Sequence, residues 1–149
     1  MQNLFDQQTF KSISERINRL SPSSARQWGK MNVAQMMAHC RVAFDYPISN
    51  EPAPRMFMGY LVGWIIKPKI FNDEPFRKNL PTAPVLKFAN ERDFESEKSG
   101  LLKNIETFYS MGPGNAGKYP HPMFGSLTAE QWGKFMYKHL DHHLQQFGV

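Results

Sequence analysis

Cysteine is nearly missing from this chain: Cys40 is the only one. That excludes an internal disulfide and fits a reducing compartment. Long apolar runs are missing too. The most apolar stretch, MFMGYLVGWII from Met56 to Ile66, has 11 residues; a spanning helix needs ~20, so this run predicts a core or interfacial helix and no membrane partner. The opening residues, MQNLFDQQTFKS, lack the charged-then-apolar pattern of a secretion signal, and a cytoplasmic protein is the expectation. No Walker or Rossmann glycine pattern occurs. GPGNAG (112–117) lacks the lysine and serine of a phosphate loop and lies between helical segments, so it reads as a connector. Lysine and arginine outnumber the acids 18 to 13, a formal charge of +5. These cations are scattered, with no glycine-rich or aromatic RNA-binding signature, which predicts a solvated basic surface and no nucleic acid.

What is present is helical periodicity. The 149 residues predict one domain over 1–149 with a real core. Phe10, Ile13, Ile17 and Leu20 recur at helical spacing, predicting an amphipathic helix over roughly 6–20 that the SPSS segment stops. Asn32 and Gln35 have capping-box spacing and open a second helix, VAQMMAHCRVAFDY, expected to end before Pro47. Its charges, Arg41 and Asp45, lie near each other on the wheel, so most of its circumference is buried. A long crossover from about Pro47 to Asn90 holds seven of the 11 prolines and includes a short helix around Met56–Ile66. A third main helix is expected over about 93–110, with Phe94, Leu101, Ile105, Phe108 and Tyr109 on its core side. Thr128 and Gln131 make a second capping box, opening the last helix through about Phe147. With no repeat and no strand alternation, the fold class is all-α: a four-helix bundle with a long crossover between its second and third helices.

Three of the five histidines, His139, His142 and His143, fall in YKHLDHHLQQF. Taken at ~100° per residue, His139 and His143 lie within about 20° of Trp132, inside the stripe that Phe135, Met136 and Phe147 complete. His142 falls at the stripe's edge, and Lys134, Lys138, Asp141 and Gln145 occupy the opposite face. His39 points away from Arg41 and Asp45, therefore inward as well. Neighbouring Cys40 points about 100° away and reads as a small core residue. Buried imidazoles need partners. Hydrogen bonding would satisfy a core His39, and capping of C-terminal carbonyls accounts well for His142 and extends to the others. A divalent metal ion would satisfy His39, His139 and His143 at once, and HxxxH places two ligands one helical turn apart. The absence of HExxH argues against a zincin-type protease.

WGKMNVAQMMAHC (28–40), the HxxxHxxQ pattern within HLDHHLQQF (139–147) and HPMFGSLTAEQW (121–132) together resemble the DinB/YfiT-like superfamily of metalloenzymes. The last segment resembles one uncharacterised branch that carries HPxFGxLTxxEW, although Gln131 stands where that branch has glutamate. The resemblance spans nearly the whole chain. It implies a four-helix bundle and a divalent ion, zinc or nickel, on His39, His139 and His143. Characterised relatives include transferases and isomerases that use a low-molecular-weight thiol, and homodimers are common among similar proteins.

The leading expectation is therefore an enzyme moving a small thiol onto an electrophilic small-molecule substrate. Tyr60, Trp64, His121 and Phe124 are candidate pocket residues. His121 is a weak catalytic candidate, as a base or a hydrogen-bond donor, against the plainer reading of a loop histidine packed between two prolines. Arg77 and Lys78 could meet an anionic group or be ordinary surface charge. Hydrolysis by a metal-bound hydroxide is the second expectation, weakened because Asp45 and Asp141 face solvent on the wheel. A third is a non-catalytic metal- or ligand-binding stress protein.

Overall fold

In the computed structural model of the protein, which describes residues 2–149, the chain forms five α-helices. They are α1 (Gln7–Asn18), α2 (Val33–Ile48), α3 (Phe57–Ile70), α4 (Phe94–Asn115) and α5 (Ala129–Gln146), with a 3₁₀ turn at Pro84–Leu86. No strand occurs among the described residues. Both expected capping boxes form. The Asn32 side chain accepts from the Gln35 N–H at 2.9 Å, and Gln35 accepts from the Asn32 N–H at 3.0 Å. The Thr128–Gln131 pair repeats this at 3.1 and 3.0 Å. Each box satisfies two N–H groups that a helix start otherwise leaves open.

Four helices build one core. Ile13 and Ile17 of α1, Met36, Met37 and Phe44 of α2, Leu101, Ile105 and Phe108 of α4, and Trp132, Met136, Leu140 and Leu144 of α5 are buried in a continuous cluster. The polar edge of α2, with Asp45 exposed and Arg41 half-buried, also bonds to α4. Arg41 Nε donates to Glu97 Oε2 at 2.7 Å, and Asn104 donates to the Arg41 carbonyl and to Asp45, each at 3.1 Å. Helix α2 runs through Pro47 for one more residue. The Pro47 carbonyl accepts from the Gly117 N–H at 2.7 Å, so its C-terminal end finds a tertiary partner. Helix α4 breaks at Gly112 (φ 66°, ψ 175°), near the expected end, before a last turn to Asn115.

Of the two readings of the apolar run, core or interfacial helix, the core one does not hold. Only Gly59 and Gly63 of α3 are buried, while Phe57 and Trp64 are 74% and 73% exposed. The two glycines bring the helix backbone onto the connector: a Cβ on Gly63 would stand 2.5 Å from the Met123 carbonyl oxygen. The bulky residues then have no wall to meet. Polar bonds fix α3 at both ends. Arg55 donates to the His121 carbonyl at 3.1 Å and Lys67 to the Ser126 carbonyl at 2.7 Å.

Lys138, expected on the wet face of the last helix, is also buried. Its ammonium donates to the Ile70 carbonyl (2.9 Å), the Asn72 carbonyl (3.1 Å) and Asn72 Oδ1 (3.0 Å), and lies 4.6 Å from the Phe76 ring centroid. The crossover after α3 thus lies over a side of α5 that periodicity alone assigns to water.

Candidate metal centre

Helix α2 supplies His39, and α5 supplies His139 and His143 one turn apart. One ring nitrogen from each lies within 4.8 Å of the others. His39 and His143 are buried and His139 partly so. Ring centroids are 4.9 Å apart for His39–His139, 4.6 Å for His39–His143 and 4.9 Å for His139–His143.

Neighbours decide which nitrogen carries the proton. A carbonyl only accepts, so the 2.9 Å contact between His39 Nδ1 and the Leu86 carbonyl requires an Nδ1–H. That carbonyl comes from the 3₁₀ turn, which fixes this part of the crossover against α2. Similarly, His143 Nδ1 lies 2.9 Å from Gln146 Oε1, while the Gln146 amide nitrogen donates to the Trp28 carbonyl at 2.7 Å. The second bond orients the amide so that its oxygen faces His143, which makes Nδ1 the donor. Both neutral rings then present a bare Nε2. His139 Nε2 lies 2.8 Å from His39 Nε2 and must donate to it, so its own Nδ1 is a buried acceptor with no partner. A cation in place of the shared Nε2 proton would make the three rings a ligand set.

The electrostatics keep these rings neutral. Burial is the main cause of a lowered His39 pKa, working against its Leu86 bond. Burial, followed by His39, brings His143 down to about 3. Burial, then His39 and His143, holds His139 well below the ordinary value. Neutral imidazole is the form that binds metal. Three imidazoles with two oriented Nδ1–H bonds match the donor chemistry of zinc-type centres, where ligand histidines characteristically donate their other N–H to an oxygen. No carboxylate joins the cluster among the described residues.

The other sequence candidates lie elsewhere. His142 is half-buried beside Trp28 and Phe76, with ring centroids 5.8 and 5.9 Å away. Cys40 is fully buried, its thiol pushed above the usual range by burial, with Met36 Sδ at 3.7 Å. Tyr60 and Trp64 project from the exposed side of α3. Phe124 stacks on His121 at 4.7 Å, in an aromatic nest that Trp132 and Phe135 complete. His121 Nδ1 accepts the N–H groups of Met123 (3.1 Å) and Phe124 (3.3 Å), which leaves its proton on Nε2. Burial, then Arg55, lowers its pKa to about 4. Lys78 lies over the Trp28 ring at 4.4 Å, and Arg77 stays exposed. Asp45 is exposed, and Asp141 pairs with Arg16 at 2.7 Å.

Trp28, Leu86 and Gln146 carry parts of the site to which sequence reasoning assigned no role. Gln146 left a signal in its spacing of three after His143, and Trp28 in opening the WGKMNVAQMMAHC segment; Leu86 left none. A cleft of about 640 Å³ adjoins the cluster, with His142, His143 and Gln146 on its wall. Among the described residues, no helix is long and apolar enough to cross a membrane.

The model of the family described as "Protein of unknown function (DUF1569)" matches residues 4–148. No curated protein and no solved structure matches the chain.

Proposed function

The chain belongs to the DUF1569 family, and we propose that this protein is a metal-dependent enzyme that transfers a low-molecular-weight thiol to an electrophilic small molecule. One observation carries the reading: three neutral imidazoles from two helices converge within 4.8 Å. On this reading the fold is a DinB/YfiT-type four-helix bundle made by α1, α2, α4 and α5, with α3 inside the crossover. The same resemblance supplies zinc or nickel and a homodimer, and the single cysteine suits a cytoplasmic setting.

Bound by three imidazoles, a divalent ion would keep at least one coordination position open and lower the pKa of a thiol or water there. The chain's own residues do the rest. Leu86 and Gln146 hold His39 and His143 in the tautomer that offers Nε2. The enclosing core keeps all three rings unprotonated at neutral pH. The adjoining cleft gives a small molecule access to His143. We assign no proton transfer to His121, because Nδ1 is engaged by two backbone donors. Hydrolysis is the weaker reading, since no carboxylate stands in the cluster to act as a base.

The test is elemental analysis of protein purified without an affinity tag, beside a His39→Ala/His143→Ala variant, followed by thiol-conjugation assays. Near-stoichiometric metal in the parent, none in the variant, and metal-dependent conjugation are expected. No metal after incubation with zinc and nickel overturns the centre. Metal without conjugation of any cellular thiol overturns the transferase and moves the weight to a non-catalytic metal-binding protein.

A further inference from the structure

The cleft beside the cluster has a lopsided charge. Lys30 and Lys87 line it, and no carboxylate does. Neither lysine has an ion-pair partner among the described residues. The aromatic walls add to the same sign. Lys78 sits over the Trp28 ring at 4.4 Å and Arg92 over the Phe88 ring at 4.5 Å. Each ring therefore already holds a cation against one of its two faces. A cationic ligand would meet repulsion with no free aromatic cage to offset it.

The apolar residues Trp28, Met31, Leu80 and Phe88 complete the wall. The volume of about 640 Å³ lies in the range of small-molecule sites.

We infer that this cleft binds a small organic carboxylate with a flat apolar body, its charge met by Lys30 and Lys87 and its body by Trp28, Met31 and Phe88. The substrate class of the enzyme is then an acidic, amphiphilic electrophile. Its reactive end lies on the His143 side, a placement that rests on the metal-centre reading; the preference for an anion does not depend on it.

The probe pair is naphthalene-2-carboxylate and its neutral carboxamide. Each is titrated into the full chain while the Trp28 indole N–H resonance is followed by NMR, assigned with Trp28→Phe. Metal content is measured in every sample. The carboxylate is expected to give a saturable shift and to bind about tenfold tighter than the amide, the scale of a charge-assisted contact. Lys30→Gln/Lys87→Gln should remove that advantage and leave amide binding unchanged. Equal affinity for the two probes, no effect of the double variant, or no saturable shift overturns the inference. Metal uptake without carboxylate selectivity would defeat the anion site alone; carboxylate selectivity in a protein that takes up no metal would defeat the metal centre alone.

Discussion

Replacing Gln146 with methionine keeps the volume of the side chain and removes both of its polar contacts. Gln146 is 4% exposed, so water cannot substitute for them. His143 loses the acceptor at 2.9 Å that holds its proton on Nδ1, and the Trp28 carbonyl loses its 2.7 Å donor. A buried group left unsatisfied costs ~1–3 kcal/mol, so the two together should lower folding stability by about 2–6 kcal/mol. Metal affinity should fall ~10–100-fold, because the ring can now turn or adopt the tautomer that hides Nε2. Gln146→Glu separates the two effects. A carboxylate still accepts from Nδ1–H, and more strongly, while it cannot donate to Trp28. Zinc affinity is read by competition with a chelating dye, and stability by urea unfolding of protein stripped of metal. The expected order is parent and Gln146→Glu binding tightly, Gln146→Met weakly, with both variants destabilised. A Gln146→Met protein that holds zinc within about twofold of the parent would refute the orienting role.

Three other outcomes follow from the geometry. His121 has its pKa lowered to about 4, so the unfolded chain takes up its proton first; its contribution is present above the unfolded pKa of ~6.5 and is lost as pH falls toward the folded value. His121→Asn, which keeps an acceptor for Met123 and Phe124, should therefore lose up to ~1.4 kcal/mol less stability per pH unit than the parent below about pH 6.5, measured by denaturant titration. Gly63→Ala would favour an isolated helix but places a methyl 2.5 Å from the Met123 carbonyl; amide exchange in α3 should rise sharply while the melting temperature changes little, since α3 contributes nothing to the core. Lys138→Met removes three hydrogen bonds to Ile70 and Asn72 and should cost about 2–4 kcal/mol; limited proteolysis should cut residues 70–76 faster, and an unchanged cleavage rate would refute the tether.

The parts of this molecule that were legible in sequence are those decided within one helix. Both capping boxes could be read from four residues each. The wheel positions of His39, His139 and His143 coincide with where the three rings lie, because direction around a helix depends only on its own residues. Contacts that cross between segments were not legible. Lys138 lies opposite the apolar stripe, yet the crossover covers it, and nothing in the spacing of α5 announces a strand of chain returning over its far side. The Leu86 carbonyl is a backbone group in a proline-rich stretch without periodicity. Helix α3 shows the reverse case. Its composition left core and interfacial placements open, and its two glycines, rather than its large side chains, make the contact.

His39 and His139 stand 100 positions apart in the chain. Any bond that joins them closes a loop over two thirds of the polypeptide. In polymer terms a shared ion is a removable cross-link, and a loop of ~100 residues corresponds to about 4.7 kcal/mol of chain entropy withheld from the unfolded state. That stabilisation belongs to topology and would be absent from any tally of contacts in the folded protein. With Cys40 as the chain's single cysteine, no internal disulfide can tie α2 to α5, and a histidine clasp would do so by different chemistry.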